Sequence, residues 1–250
     1  MPPVNPQLDH DAGSDDSEGA GPITSATDRF IATAAGFDAT DLTAPTLCEG
    51  WTRAHVLAHV ARHADAMVNL LTWARTGTPT FQYASAEARE AGIEAGVGAT
   101  PEELVDDLRR SAARLSAAVN DLPDEGWTRQ VRRGPGGTGE TIPARRVLWS
   151  RLQEVEIHHV DLDAGYSPAD WPDAFVRRAL REALRSFAGR DDAPAFTLVA
   201  GEFTDRLGDG GGITVTGPPA AALGWLTGRT SGTGLAVRPA NHLPRLPAWK

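Results

Sequence analysis

The chain has 250 residues, of which 41% are hydrophobic and 23% charged, and its formal net charge is −9 at neutral pH. These values are ordinary for a globular protein with a substantial core, and an acidic chain without a basic cluster excludes a typical nucleic-acid partner. No apolar stretch is long enough to cross a bilayer, and no secretory signal is visible, so we expect no membrane partner and a cytoplasmic location. The single cysteine, Cys48, excludes an intrachain disulfide and an all-cysteine zinc site.

The charge is unevenly distributed along the chain. Residues 1–22 contain five Asp or Glu residues and no Lys or Arg, which predicts a disordered acidic tail. The composition changes again after "GYSPADWP", where helical spacing gives way to short strand-like segments. We therefore predict a helical domain over 23–168 and a small α+β domain over 169–250.

The helical domain begins with two predicted helices. Apolar residues at helical spacing predict the first over 24–42. The second begins at "GWTRAHV", with Thr52 as N-cap and Trp51 packing on Val56, and should run to about Arg75.

Four further segments complete this domain. A short helix is predicted around 84–95, and "TPEELVDDL" begins a long one with Thr100 as its cap. The glycine-rich segment 132–140 is expected to be a flexible loop or a hairpin turn. A fourth long helix is predicted over 143–164, and four long helices with short connections favour an antiparallel bundle.

The fourth long helix carries the sequence "LQEVEIHHVDLD" at 152–163, in which titratable groups alternate with apolar ones. Glu154 and His158 are four residues apart, so both project from one face and can reach one ion. Glu156 and His159 are three residues apart and could do the same on another face. The spacing alone leaves both pairs open, although His159 falls within an apolar stripe.

The second long helix carries three histidines in "HVLAHVARH", namely His55, His59 and His63, at steps of four along the edge of its apolar sector. Opposite an acid–histidine pair, these residues make a His/Glu/His metal site possible in the core of the bundle. For His63 we favour the simpler interpretation of a partly exposed helix residue.

The segment "LCEGWTRAHVLAHVARHADAMVNLLTWARTGTPTFQYASAEAR", followed downstream by "LWSRLQEVEIHHVDL" and "GWLTGR", resembles the mycothiol-dependent maleylpyruvate isomerases, within the DinB-like metal-binding superfamily. The resemblance spans roughly 24–235. It implies an N-terminal DinB-like four-helix bundle followed by a small C-terminal α+β domain.

The same resemblance implies the metal site. Its ligands would be His59, Glu154 and His158, and the family metal is usually zinc, whereas His55 and His159 match no family ligand. Three protein ligands with open positions are typical of catalytic zinc sites.

Other residues are expected to support this site. The resemblance implies that Arg89 in "SAEAR" and Arg229 in "LTGR" belong to the active site, and planar guanidinium groups suit substrate carboxylates. Asp161, three residues beyond His158, is either an acceptor that orients the ligand imidazole or a surface carboxylate at a helix end.

The reaction implied by the resemblance is the cis–trans isomerisation of maleylpyruvate to fumarylpyruvate in gentisate breakdown. It needs a low-molecular-weight thiol, mycothiol, that adds to the conjugated double bond of a small carboxylate substrate and then leaves. Cys48 is a poor candidate for this thiol, because the sequence places no base beside it.

Two alternatives remain at this level. One is a mycothiol S-transferase of the same superfamily, which would share the metal ligands. The other is a non-enzymatic zinc-binding regulator, although zinc anti-sigma factors use cysteines that this chain lacks.

Overall fold

The computed structural model describes residues 19–249, and the chain divides into two compact units between Ala164 and Gly165. Residues 1–18, most of the predicted acidic tail, lie outside the described residues. Gly21 and Pro22, assigned to the tail from the sequence, begin the first helix instead. Within 19–249, no helix combines the length and apolar character needed to span a bilayer.

The described part of the first unit contains six α-helices. Their bounds are α1 Gly21–Ala34, α2 Ala39–Leu42, α3 Arg53–Thr76, α4 Ala86–Val97, α5 Pro101–Asn120 and α6 Arg146–Asp161. The long helices α1, α3, α5 and α6 form a four-helix bundle, in which α1 and α3 each pack against both α5 and α6. Helix α4 packs against α3. The predicted bundle is therefore confirmed.

The helix predicted over 24–42 is in fact two helices. Helix α1 ends at Ala34, and Asp38 begins α2 by accepting hydrogen bonds from the backbone N–H groups of Thr40 and Asp41 at 2.7 and 2.8 Å. A side chain that satisfies the first amides of a new helix favours a fresh start over continuation.

Helix α3 begins where the sequence predicts, after Thr52. The backbone N–H of Thr52 donates to Nδ1 of His55 at 3.2 Å, so an imidazole occupies the place that a glutamate usually takes in a capping box. The helix ends at Thr76, followed by Gly77 in the left-handed conformation. Its first turns thus hold three histidines in a fixed register.

The glycine-rich segment connects two strands, so the hairpin alternative is confirmed. Strands β1 (Gln130–Arg132) and β2 (Thr141–Pro143) pair antiparallel, with Val131 opposite Ile142. Both of these side chains join the apolar core of the first unit.

Helix α6 is buried on most of its surface, including several polar side chains. The buried polar and charged residues of α6 are Arg151, Gln153, Glu156, His159 and Asp161. Polar groups in a core require partners, and α1 and α3 supply several of them.

The second unit is a small α+β domain, as predicted. It contains α7 (Asp173–Phe187), α8 (Pro219–Leu226) and a sheet whose strands are β3 Phe196–Ala200, β4 Phe203–Leu207, β5 Thr214–Gly217 and β6 Ala236–Arg238. The strand order is β4-β3-β5-β6. The central pair β3–β5 is parallel and both outer pairs are antiparallel. Helix α7 packs against α8 and β4, and α8 packs against β5.

Candidate metal centre

Helices α3 and α6 bring one histidine of α3 to an acid–histidine pair of α6. Nε2 of His59 lies 2.6 Å from Oε1 of Glu154, and Nε2 of His158 lies 3.5 Å from the same oxygen. The three candidate ligand atoms all lie within 4.8 Å of one another. Residues separated by 95 positions in the sequence therefore converge on one small volume.

This donor set fits a divalent metal ion. Zinc binds imidazole nitrogen and carboxylate oxygen at about 2.0–2.2 Å, which places neighbouring ligand atoms ~3.3 Å apart in tetrahedral geometry. The separation of 3.5 Å between His158 and Glu154 already meets that spacing. His59 and Glu154 instead share a direct hydrogen bond, which an ion between them would replace.

Asp161 determines which nitrogen of His158 faces the other ligands. Its Oδ2 lies 2.9 Å from Nδ1 of His158, and the side chain is 0% exposed. An Nδ1–H that donates to this carboxylate leaves Nε2 with a free lone pair, as in the carboxylate–histidine–metal arrangement. Of the two alternatives from the sequence, the structure favours the orienting acceptor over the surface carboxylate.

The environment shifts the pKa values of all three candidate ligands. Burial opposes ionisation of Glu154, but the neighbouring His63 and His158 hold the pKa of its carboxyl well below the ordinary value. Burial lowers the pKa of His59 despite the hydrogen bond to Glu154. For His158, burial is outweighed by hydrogen bonds to Asp161, Cys48 and Glu154, which raise its pKa well above the ordinary value. Glu154 is therefore ionised and His59 is neutral, whereas His158 is protonated and would release its proton on binding a metal ion through Nε2.

Arg89 places a cation at the edge of this cluster. Its Nη2 lies 3.4 Å from Nδ1 of His59, and its Nη1 forms an ion pair with Glu90. The guanidinium carbon lies 5.9 Å from the ring centroid of Trp51 and 6.0 Å from that of Tyr83. These contacts place Arg89 of α4 beside His59, one of the candidate ligands.

The sequence does not indicate that two aromatic residues, Trp51 and Tyr83, lie near the candidate ligands. The ring centroid of Trp51 lies 5.2 Å from that of His59 and 6.5 Å from that of His158. Burial raises the pKa of Tyr83 to about 12, and Arg89 opposes this effect. Both aromatics precede helices, outside any periodic pattern, so only the folded distances reveal their position.

His63 corrects one of our sequence-based interpretations. We expected a partly exposed residue, but its side chain is only 8% exposed and its Nε2 lies 3.7 Å from Oε2 of Glu154. Its Nδ1 lies 3.5 Å from Nη1 of Arg151. Burial lowers the pKa of His63 to about 3, so the ring is neutral at ordinary pH and lies beside Glu154 inside the bundle.

Cys48 corrects a second sequence-based interpretation. The sequence places no base beside it, yet its Sγ lies 3.3 Å from Oδ2 of Asp161 and 3.9 Å from Nδ1 of His158. These partners are more than 100 positions away in the chain, which is why local sequence conceals them. The same three residues form a second group whose geometry is compatible with a metal ion.

The competing pair on α6 has other partners. Oε1 of Glu156 accepts a hydrogen bond from Arg29 at 2.7 Å. Nε2 of His159 lies 2.8 Å from the hydroxyl of Thr33, and its ring packs edge-on against Phe30. Both residues are thus engaged with α1 and tie that helix to α6.

The two remaining candidates have other partners within their own units. His55 faces Glu94 of α4, with its Nε2 3.5 Å from the carboxylate. Arg229 belongs to the second unit and follows α8, where its Nη1 donates to the carbonyl of Thr227 at 2.7 Å. The structure thus brings His59, Glu154, His158, Asp161 and Arg89 together within the first unit.

The fold and the cluster together define the class of this protein. It is a four-helix bundle protein with a candidate metal centre of three ligands, His, Glu and His, on facing helices, and an α+β unit follows the bundle. The chain belongs to the mycothiol maleylpyruvate isomerase family, because the profile of the "Mycothiol maleylpyruvate isomerase N-terminal domain" matches residues 23–163, more than half of its length.

Solved structures agree with this assignment. A mycothiol-dependent maleylpyruvate isomerase of known crystal structure is 29% identical in sequence to this chain. The two structures match with a TM-score of 0.84, over 92% of this chain and 95% of that chain. A histidine-to-alanine mutant of such an isomerase gives the same values. Among curated protein sequences there is no match. The family and fold predicted from the motifs are therefore confirmed, and the chain is related to an enzyme.

Proposed function

We propose that this protein is a cytoplasmic isomerase that converts maleylpyruvate to fumarylpyruvate in gentisate breakdown, with mycothiol as its thiol cofactor. The observation that carries the proposal is the convergence of His59, Glu154 and His158 within 4.8 Å, in a chain that belongs to this family. A relative of the whole chain, 29% identical, is named as such an isomerase.

The metal would be held by His59, Glu154 and His158, and a nitrogen and carboxylate donor set without cysteine suits zinc. When bound, a divalent metal supplies Lewis acidity that lowers the pKa of a coordinated thiol. Asp161 contributes by fixing the tautomer of His158. The neutral ring of His63 lies beside Oε2 of Glu154, the oxygen that does not face His59.

Arg89 is the residue best placed to bind a substrate carboxylate. Its guanidinium lies beside His59 and over two aromatic rings. A histidine that binds a metal through Nε2 carries a proton on Nδ1, so it can no longer accept the hydrogen bond from Arg89. The guanidinium then has a donor available for a carboxylate, which it can engage through two parallel hydrogen bonds.

A second cation would be needed for the other carboxylate and for the negative charge that develops after thiol addition. The resemblance assigns this role to Arg229. Trp51 and Tyr83 would shield the site from water, since indole and phenol rings border His59 and Arg89. Exclusion of water strengthens the interaction between a guanidinium and a carboxylate.

The deciding experiment is conversion of maleylpyruvate with and without mycothiol, using purified metal-replete protein and following fumarylpyruvate by absorbance and mass spectrometry. We expect conversion that requires both the thiol and the metal. A stable thiol adduct that accumulates in place of fumarylpyruvate would assign the protein to the S-transferase alternative. An absence of both products would contradict an enzymatic role on this substrate and favour the regulator alternative.

A further inference from the structure

A cavity of about 210 Å³ lies within the first unit, between α1 and α5. Its walls are mainly apolar and include Ile23, Leu115 and Val119. Arg151 of α6 also lines it, so a cationic side chain borders an otherwise largely hydrophobic space.

The charge of Arg151 is poorly compensated. The residue is only 1% exposed, and its Nη1 donates to the carbonyl of Val60 at 2.8 Å and lies 3.5 Å from Nδ1 of His63. Its Nε has no hydrogen-bond partner, and across residues 19–249 no carboxylate lies within ion-pair distance of the guanidinium. Buried charges are normally paired, and an unsatisfied buried donor needs an explanation.

The carboxylates whose charge acts on Arg151 have other partners. Those that act on Arg151 from a longer distance are Glu154 and Asp65. Glu154 is hydrogen-bonded to His59, and Asp65 forms ion pairs with Arg62 and Arg114. Burial consequently lowers the pKa of Arg151 to about 10, despite these carboxylates, although the group stays protonated at neutral pH.

We propose that the cavity between α1 and α5 binds a small monocarboxylate with an apolar tail, whose carboxylate pairs with Arg151. A guanidinium matches a carboxylate in charge and geometry, and the apolar walls suit an aliphatic tail. The volume of about 210 Å³ is below the ~300–1,000 Å³ usual for drug-sized ligands, so the ligand is small.

One feature of the cavity argues against a dicarboxylate. Asp28 also lines it and is exposed, so a second carboxylate near the opening would meet a like charge. This site therefore differs in its preference from the proposed isomerase site, whose substrate carries two carboxylates. The two proposals do not depend on one another.

The test is calorimetric titration of the metal-replete protein with hexanoate, and with adipate as the dicarboxylate of equal carbon number. We expect hexanoate to bind at one site per chain and adipate to bind at least tenfold more weakly. Ala112→Phe, which fills the cavity from α5, should weaken hexanoate binding at least tenfold. Ala117→Phe, on the same helix at an exposed position outside the lining, is the matched control and should bind normally.

Two further variants separate this site from others. Arg89→Ala should bind hexanoate normally, because the proposed site does not include Arg89. Arg151→Met should lose hexanoate binding. Thermal melting shows whether this variant folds, and if it does not fold, Ala112→Phe tests the proposal instead. The proposal would be overturned if hexanoate does not bind, or if it still binds to the Ala112→Phe variant. It would also be overturned if Ala117→Phe or Arg89→Ala weakens hexanoate binding as much as Ala112→Phe does.

Discussion

Nδ1 of His158 lies 2.9 Å from Oδ2 of the fully buried Asp161, one turn further along α6. Glu154 lies one turn before His158 on the same helix. Successive turns of one helix thus carry a carboxylate ligand, an imidazole ligand and the carboxylate that orients this imidazole. Because all three are fixed by the same backbone, the geometry of the candidate metal site depends on α6 more than on any other element.

We expect Asp161→Asn to weaken zinc binding about 10- to 100-fold, the range for loss of a residue that orients a ligand. The neutral amide cannot hold the Nδ1 proton of His158 as strongly as a carboxylate does. Competition titration with a chromogenic chelator measures the change. Asp163→Asn is the control, since this exposed residue has a φ of 47°, which Asn tolerates. Equal affinities in both variants would show that another group orients His158.

Adjacent histidines on α6 should behave differently when replaced. His158→Ala should lose metal and activity together while the bundle still folds, because its Nε2 faces Glu154. His159→Ala should keep the metal and lose about 1–3 kcal/mol of unfolding free energy, because its ring is buried against Phe30 and bonded to Thr33. Elemental analysis and thermal unfolding separate these outcomes. The reverse pattern would move the site to Glu156 and His159.

The metal content of the purified protein tests the proposed ligand set directly. Protein purified without chelator should contain about one divalent metal ion per chain, because the family match and the donor set indicate one such site. Glu154→Gln should reduce this content strongly. Glu156→Gln should not, since Glu156 is hydrogen-bonded to Arg29. Active protein without metal, or equal metal loss in both variants, would rule out the proposed ligand set.

Much of the bundle and the side-chain pattern of the candidate site can be predicted from the sequence, because helix geometry is local. The interval of four residues between Glu154 and His158 places both on one face once α6 forms, and the start of α3 at Thr52 is encoded by its cap. The apolar spacing over 24–42 conceals the break between α1 and α2, since the capping hydrogen bonds of Asp38 compete with continuation.

The rest of the site could not be predicted, because it depends on contacts between distant parts of the chain. His63 looks like an edge residue of α3, and its burial becomes apparent only when Arg151 of α6 packs beside it. Cys48 lies in a loop, and the partners of its thiol come from the last turn of α6. Periodicity describes one helix at a time and carries no information on which helix faces it.

Arginine variants test the proposed substrate contacts. Arg89→Ala and Arg229→Ala should each lower kcat/KM about tenfold to a thousandfold with unchanged metal content, because each would remove a charge-assisted contact to a carboxylate. Arg110→Ala, at an exposed position of α5, is the control and should remain near the wild-type value. Wild-type kinetics in both active-site variants would place the carboxylate contacts elsewhere.

Cys48 offers the sharpest test of which thiol reacts. Its thiol lies within hydrogen-bonding distance of Asp161, so we assign it a role in holding that carboxylate toward His158. Cys48→Ser retains a donor and should keep activity within a few-fold, while Cys48→Ala, which lacks one, should weaken zinc binding more than the serine variant does. Steady-state kinetics with mycothiol and chelator competition measure both effects. A loss of about a hundredfold or more in kcat for a folded, metal-loaded Cys48→Ser variant would instead identify the thiol of the protein itself as the nucleophile.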